Sequence, residues 1–176
     1  MIAPTADRVP GAIMSGVSLP ISHRIVTATP ADLSEVSELL HTTGLSAEGL
    51  DGFVDTLLVS RSRGRIIGCA GLEIRGASAL LRSVAVDVGW QGRGLGTELV
   101  KKAMLLAQAR GVRELFLLTE SADEYFAHLG FARCARGDAP EAIRATLEYA
   151  SLCPASAIAM RRDIDPPRPA VRTPRA

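Results

Sequence analysis

Apolar residues recur along this chain in two ways, at a spacing of 3.6 residues in some segments and in alternating or unbroken runs in others. The first pattern is typical of amphipathic helices and the second of strands. Helical spacing predicts helices at 30–44, 95–110, 122–129 and 140–150. The second pattern predicts strands at 24–28, 53–60, 65–74, 79–86, 112–119, 131–136 and 157–162.

The lengths of the connections predict how these strands pair. The strands at 53–60, 65–74 and 79–86 are joined by turns too short for crossovers, so they form an antiparallel meander. The strand at 112–119 follows a long helix, which makes the unit parallel, and its unbroken apolar run is typical of a strand buried on both faces. The sequence therefore predicts an α/β fold with a mixed sheet, in which an antiparallel meander and one parallel βαβ unit are flanked by helices.

The two ends of the chain lack these periods. Residues 1–22 are rich in Pro, Gly, Ala and Ser, and we interpret them as a loose leader. Residues 163–176 hold four prolines and three arginines, a composition that blocks helix and sheet alike and predicts a tail. One folded domain is predicted between them, at 23–162.

Composition narrows the classes of protein. Apolar residues make up 47% of the chain, enough for a full core. The 20 basic and 19 acidic residues leave a net charge of +1, so charge gives no reason to expect a nucleic acid or a membrane surface as partner. No apolar run reaches the roughly 18 residues of a membrane span, and the leader lacks a signal-peptide core, which favours a cytoplasmic protein. The three cysteines form no C-x-x-C pair, so neither a disulfide framework nor a metal site is expected.

A glycine-rich turn separates the last strand of the meander from the long helix. Gly92, Gly94 and Gly96 carry no Cβ, so the backbone can turn tightly there and approach a ligand closely. Successive N–H groups then converge at the positive end of the helix, which favours an anion such as a phosphate or a pyrophosphate. Arg93 adds a positive charge to this candidate site.

Two common phosphate-binding motifs do not fit this turn. A P-loop requires a lysine after its last glycine, and none follows Gly94 or Gly96. A dinucleotide-binding fingerprint requires a third glycine where Thr97 stands. The other alternative is a helix start that binds nothing. It leaves Gly96 unexplained, because an interior glycine costs a helix about 1 kcal/mol.

The pattern Val-x-Val-x-x-x-x-Gln-x-x-Gly-x-Gly, which begins at Val84, resembles the signature of the GNAT acetyltransferase superfamily. The resemblance implies the GNAT fold and acetyl-CoA as co-substrate, with the pyrophosphate on the glycine turn and the pantetheine arm along the preceding strand. It also implies direct attack by the acceptor amine, with backbone N–H groups near Val84 and Ala85 polarising the thioester carbonyl. The positions that it assigns to acetyl-CoA are Val84, Ala85, Val86, Gln91, Gly92, Arg93, Gly94, Leu95, Gly96 and Thr97.

Two further stretches carry a narrower resemblance. The segments LFLLTESADEYFAHLGF and DAPEAIRATLEYASLCPASAIAMRR resemble arsenic-resistance N-acetyltransferases and, more distantly, the acetyltransferase domain of N-acetylglutamate synthase. In that synthase an arginine that binds the acceptor carboxylate falls at the position of Pro154, whereas the serine at Ser156 is kept. Proline has no charge, so we expect an acceptor other than free glutamate, such as an organoarsenical or phosphinic amino-acid analogue.

Two residues are candidates for proton transfer. Glu73, flanked by apolar Leu72 and Ile74, stands alone on its face of the strand and is the candidate base, unless it simply faces solvent. Many GNAT members carry a tyrosine where this chain has Phe126. Tyr125, the candidate acid, lies one residue earlier, which turns a helical side chain by about 100°. Alternatively the thiolate leaves without an acid.

Several polar residues are candidates for contacts to the acceptor. Arg75 and Arg82 suit an anionic group, although Arg82 lies among apolar residues and a core carboxylate is its alternative partner. Ser83 and Thr119 are candidates for hydrogen bonds to the acceptor unless they bond the backbone instead. Ser156 joins them through the resemblance to N-acetylglutamate synthase.

The leading hypothesis is thus an acetyl-CoA-dependent N-acetyltransferase that acts on a small amino-acid-like amine, in arsenic resistance. Acetylation of a protein N-terminus or lysine is an alternative, and a non-catalytic sensor that binds acyl-CoA is another. Homodimers are common among the proteins it resembles, so the resemblance leaves a homodimer open, although nothing in the sequence itself indicates one.

Overall fold

The computed structural model describes residues 23–165. The strands are β1 (Arg24–Thr27), β2 (Leu57–Ser62), β3 (Arg65–Arg75), β4 (Ser78–Val86), β5 (Glu114–Thr119), β6 (Ala132–Arg133) and β7 (Ile158–Asp163). The α-helices are α1 (Leu33–Thr42), α2 (Leu95–Ala109), α3 (Asp123–His128) and α4 (Glu141–Arg144). A 3-10 segment (Leu50–Thr56) precedes β2, and a π-helical turn (Glu148–Leu152) follows α4.

All seven strands form one mixed sheet in the order β1-β2-β3-β4-β5-β7-β6. Strands β1 to β4 pair antiparallel, as the short connections predict, and β4 pairs parallel with β5 across the α2 crossover. Strand β7 then pairs antiparallel with β5 and β6. The predicted fold class, an antiparallel meander joined to one parallel βαβ unit, is confirmed.

Apolar clusters cover both faces of the sheet. On one face, α2 and α3 pack against β3, β4, β5 and β7. On the other, α1 and the 3-10 segment cover the β1–β3 side, and α4 with the π-helical turn covers β5 and β7. The side chain of Arg82 lies between these last two clusters. It contacts Phe53 of the first cluster and lies near Glu148, which is the chain neighbour of Tyr149 in the second. A buried cation, Arg82, thus lies between two apolar clusters of the sheet.

The strand predicted at 53–60 is wrong in its first half. Phe53 lies in the 3-10 segment, where its ring fills the space above Gly71 on β3 that a Cβ would otherwise occupy. Thr56 closes the segment by donating from Oγ1 to the carbonyl oxygen of Phe53 at 3.1 Å. The strand begins only at Leu57 because this tertiary packing outweighs the local β pattern.

Two predictions near the carboxyl end are also corrected. The strand predicted at 131–136 shrinks to Ala132–Arg133, and Arg136 turns away to bond the Tyr149 carbonyl oxygen at 2.7 Å. The helix predicted at 140–150 divides into α4 and the π-helical turn. Thr146 contributes to the break, since its hydroxyl donates to the carbonyl oxygen of Ile143 at 2.7 Å and competes with helical bonding.

The end of the described chain is packed. Strand β7 runs to Asp163, Ile164 is buried against the α2 face, and the Asp165 carbonyl oxygen accepts a bond from Gln108. The predicted leader at 1–22 lies outside the described residues, and so does the tail from 166 onward. The domain limits stay a prediction. Within 23–165, helix length and hydropathy identify no membrane-spanning helix.

Candidate active site

The amino end of α2 opens onto a cavity. Gly94 occupies the N-cap with φ +83°, a left-handed conformation that favours glycine, and Gly92 has φ +70°. Because Gly94 has no side chain to cap the helix, the first N–H groups of α2 are left for a ligand. Gly96 also faces the cavity, and a Cβ added to it would lie 3.3 Å from the Tyr125 hydroxyl.

This cavity has a volume of about 510 Å³, within the range of small-molecule sites. Its wall combines the end of β4, the glycine turn, the first turn of α2 and one side of α3. The lining residues are Val86, Trp90, Gln91, Gly92, Gly94, Leu95, Gly96, Thr97, Ser121, Ala122, Glu124, Tyr125, His128 and Leu129. Seven of the ten predicted acetyl-CoA positions therefore line this cavity: Val86, Gln91, Gly92, Gly94, Leu95, Gly96 and Thr97.

Side chains of the turn fix its path. The Gln91 amide donates to the Val86 carbonyl oxygen at 3.0 Å and ties the turn back to β4. Arg93 lies with its guanidinium carbon 5.3 Å from the centre of the Trp90 ring. Asp87 accepts a bond from the Gly89 N–H at 2.9 Å. The glycines are therefore held in a defined loop that lines the cavity.

Strands β4 and β5 separate beside this loop. Their pairing covers only Ser78 to Leu80 on β4, although both strands continue. Strand β5 goes on pairing with β7 as far as Thr119. The opening that the resemblance implies is thus present in the sheet, at the end of β4 that leads to the glycine turn.

A bulge in β4 sets which backbone groups face that opening. Ser83 has φ +54°, uncommon for a residue with a side chain, and the register with β3 shifts beside it. The Asp87 N–H bonds the Ile67 carbonyl oxygen at 2.9 Å, and Ala85 is paired with Cys69 two residues back. Alternation therefore directs the Ala85 N–H toward β3, and the backbone of Val86 toward the opening. The expectation that an amide near Val84 or Ala85 polarises the carbonyl stays a prediction.

Tyr125 and its neighbour Phe126 point to different surroundings on α3. Phe126 is fully buried and packs edge-to-face on Phe131, whereas Tyr125 lines the cavity. The Tyr125 hydroxyl lies 3.5 Å from the Thr97 hydroxyl, over the first turn of α2. Burial raises the pKa of the Tyr125 phenol, partly offset by the bond to Thr97, so this group keeps its proton near neutral pH.

A cluster of charges lies on the opposite face of β4. Glu73 is buried and contacts the guanidinium of Arg75, while its other oxygen lies 3.4 Å from Nη1 of Arg82. Arg82 is 1% exposed, and its Nη2 lies 3.0 Å from Glu148 and bonds the Glu48 carbonyl oxygen at 2.9 Å. Burial lowers the pKa of Arg82, and the charge of Glu73 opposes that shift.

The remaining candidates occupy different surroundings. Thr119 is buried and accepts a bond from the Ala122 N–H at 3.0 Å, so it closes the turn between β5 and α3. The Ser83 carbonyl oxygen accepts a bond from the Cys69 thiol at 3.2 Å. Burial raises the pKa of that thiol to about 12, which makes it inert. Ser156 is exposed, in a turn closed by the Ala157 N–H and the Pro154 carbonyl oxygen.

Glu148 is a residue that the sequence analysis missed. It is 2% exposed and lies within a run that is otherwise mostly apolar, next to Leu147 and Tyr149. A lone carboxylate in such a run requires a partner, which was the available signal. Its partner Arg82 lies far away in sequence, so the pair itself was not visible.

Comparisons with known proteins agree with this geometry. Residues 54–133 match the family model described as the acetyltransferase (GNAT) domain. An uncharacterized N-acetyltransferase of Chlorobaculum tepidum is 29% identical over 123 residues, which cover 64% of this chain and 77% of that protein. The amino-acid acetyltransferase of Aeromonas salmonicida is 33% identical over 88 residues, covering 49% of this chain and 20% of that protein.

Solved structures share the fold. N-acetylglutamate synthase from Neisseria gonorrhoeae, complexed with coenzyme A and N-acetyl-glutamate, superposes with a TM-score of 0.72 at 21% identity, covering 82% of this chain and 35% of that one. The ribosomal-protein-S18-alanine N-acetyltransferase of Escherichia coli gives 0.64 at 21% identity, with 81% and 94% covered. The chain thus spans about a third of the synthase. Residues 54–133 thus match the GNAT acetyltransferase domain model, and the fold of the described chain is that of these solved structures.

Proposed function

We propose that this protein transfers the acetyl group of acetyl-CoA to the amino group of a small amino-acid-like acceptor. The observation that carries the proposal is the uncapped amino end of α2, which opens into a 510 Å³ cavity beside the separated strands β4 and β5. An anion-binding helix end next to a slot in the sheet suits a carrier that has a pyrophosphate at one end and a thioester arm at the other.

The chain's own groups account for binding of the donor. The amides of the first turn of α2 bind the pyrophosphate, and Arg93 adds a charge at the rim. The pantetheine arm then runs along the free edge of β4, where the Val86 backbone faces the opening. Trp90 lies in the same wall and covers the arm from solvent.

The transfer itself needs a neutral amine, a polarised carbonyl and a proton for the leaving thiolate. The amine nitrogen attacks the thioester carbon, and the amide near Val84 stabilises the developing oxyanion. The carbon–sulfur bond breaks as the tetrahedral intermediate collapses. Glu73 takes a proton from the acceptor ammonium through water before the attack, and Tyr125 gives its proton to the leaving thiolate. The second nitrogen proton, released as the intermediate collapses, restores the phenol. The products are the N-acetyl acceptor and free coenzyme A.

An amino-acid-like acceptor is supported by two features. Relatives of this chain are named amino-acid acetyltransferase and N-acetylglutamate synthase. Arg75, at the rim of the charge cluster with 43% of its side chain exposed, suits an acidic group of the acceptor, and Ser83 and Ser156 are further candidates for contact. The resemblance to arsenic-resistance enzymes, with Pro154 in place of an arginine, favours an organoarsenical or phosphinic amino-acid analogue over glutamate.

A thiol-release screen tests the proposal. Purified protein and acetyl-CoA are incubated with proteinogenic amino acids, with their phosphinic and arsenical analogues, and with peptides that carry a free N-terminus or a lysine. We expect release of free thiol with at least one amino-acid analogue, at a kcat/KM at least about tenfold above that for any peptide. Release with peptides alone supports a protein acetyltransferase, and binding of acetyl-CoA without release supports a sensor. Either result overturns the proposal.

A further inference from the structure

The charge cluster behind β4 joins three segments of the chain that are distant in sequence. Arg82 contacts the Glu48 carbonyl oxygen before the 3-10 segment, Glu73 on β3 and Glu148 on the π-helical turn. We infer that Glu148 is a positioning residue for acetyl transfer: it holds Arg82, and Arg82 holds Glu73, on the acceptor side of β4. The inference rests on the proposed function.

The position of the cluster relative to the slot supports this assignment. Val84 and Val86 pack on the α2 face, where the donor cavity lies, whereas Leu80 packs on the opposite face. Arg82 follows Leu80 by two residues, so strand alternation puts it on that opposite face, just before the Ser83 bulge. A donor in the α2-side cavity presents its acetyl group through the opening to this second face. The acceptor therefore approaches the acetyl group from the face on which the charge cluster lies.

The contacts leave little freedom for Glu73. One of its oxygens contacts the exposed Arg75, and the other faces the buried Arg82. Glu148 holds Arg82 from the far side through Nη2, and its second oxygen lies 3.4 Å from the thiol of Cys153. The orientation of Glu73 thus depends on a guanidinium that Glu148 fixes.

Stability alone does not account for the cluster. Removing charges from water is costly, and apolar side chains of similar volume are often at least as favourable in such a place. Within the described residues, Nε of Arg82 is buried without a hydrogen-bond partner, so the guanidinium is not even fully satisfied. The guanidinium instead stacks on the ring of Phe53 at 4.9 Å, which fixes its plane. The arrangement sets geometry more than it adds stability.

The experiment compares Glu148→Gln with Glu148→Asp and with Glu141→Gln, a matched control on an exposed carboxylate of α4. A misplaced reacting group costs up to about a hundredfold, so we expect Glu148→Gln to lower kcat for the acceptor at least about tenfold. The dissociation constant of acetyl-CoA, followed by the fluorescence of Trp90, stays within about twofold because its site lies on the other face. Glu148→Asp, which keeps the charge, recovers part of kcat, and Glu141→Gln matches the wild type.

Three results overturn the inference. The first is a kcat of Glu148→Gln equal to that of the wild type. The second is a joint loss of kcat, acetyl-CoA affinity and melting temperature in Glu148→Gln, as expected for a merely structural residue. The third is a loss of kcat in Glu148→Asp as large as that in Glu148→Gln. If Glu148→Gln does not fold, Glu148→Asp decides, because it must then lower kcat while leaving acetyl-CoA binding intact. Failure of the wild type to release thiol with any acceptor is a different outcome, since it refutes the proposed function before the variants are compared.

Discussion

At Gly96, at the start of α2, helix stability and the space in the cavity favour different residues. Glycine inside a helix costs about 1 kcal/mol relative to alanine, so helix stability favours a methyl group at this position. A Cβ there would lie 3.3 Å from the Tyr125 hydroxyl and 3.6 Å from Val86, inside the wall of the cavity. A binding site therefore explains a residue that helix propensity does not.

The variant Gly96→Ala separates the effect on helix stability from the effect on acetyl-CoA binding. We expect the unfolding free energy to stay the same or to rise by up to about 1 kcal/mol. Acetyl-CoA should bind about tenfold more weakly, because the methyl group narrows the cavity at the glycine turn. Urea denaturation and calorimetry measure the two quantities. Gly137→Ala, where a Cβ meets nothing within 4 Å, is the control. Unchanged affinity in Gly96→Ala would contradict the account of this residue.

Tyr125→Phe tests the proton donor. The hydroxyl is lost but the ring remains, so we expect kcat to fall by about tenfold to a thousandfold with little change in acetyl-CoA affinity. Burial raises the pKa of Tyr125 above its ordinary value of 10, so the phenol is protonated throughout neutral pH. The ratio of wild-type to variant kcat should then be constant from about pH 7 to 9. A ratio near one across that range would show that the phenol is not the acid, and a ratio that falls as pH rises would contradict the raised pKa.

At the scale of elements, the buried hydroxyl of Thr119 closes the turn between β5 and α3. Thr119 was a candidate for acceptor contact, yet its Oγ1 accepts the Ala122 N–H at 3.0 Å. Thr119→Val removes that acceptor without much change of shape. We expect the unfolding free energy to fall by about 1–3 kcal/mol, with the acceptor KM unchanged. A raised KM at full stability would instead return Thr119 to the acceptor site.

Elements were predictable where the pattern is long and local. Helix α2 and strands β3 and β4 follow directly from their apolar spacing, and the glycine turn between them lies within six residues of sequence. The prediction was wrong where distant residues decide the backbone. Phe53 leaves the predicted strand to pack over Gly71, and Arg136 leaves another to bond Tyr149. Arg82 and Glu148 meet only in the folded sheet, so spacing alone could not pair them.

At the scale of the whole molecule, the sheet separates the two proposed substrate sites. The donor cavity lies on the α2 face, and the charge cluster lies on the face that α1 and α4 cover. The gap between β4 and β5 connects the two faces. Changes on one face should therefore affect one substrate and spare the other.

Binding of the donor should also stabilise the whole fold. The cavity draws on β4, α2 and α3, which all contribute to one apolar cluster. Acetyl-CoA at about a hundred times its dissociation constant is expected to raise the unfolding free energy by about 2.7 kcal/mol. Thermal unfolding followed with and without acetyl-CoA measures the shift. An amino-acid acceptor alone, which lacks the pyrophosphate, should produce a smaller one.

The central claim is that the amino end of α2 holds the pyrophosphate of acetyl-CoA. Trp90 is the single tryptophan of the chain and lies in the wall of that cavity, so its fluorescence reports directly on the site. Titration of the wild-type protein with acetyl-CoA is expected to change this fluorescence along a saturable curve with one site per chain. Gly96→Ala should shift the curve to higher concentration. A flat titration, with no heat of binding in a parallel calorimetric run, would contradict the claim.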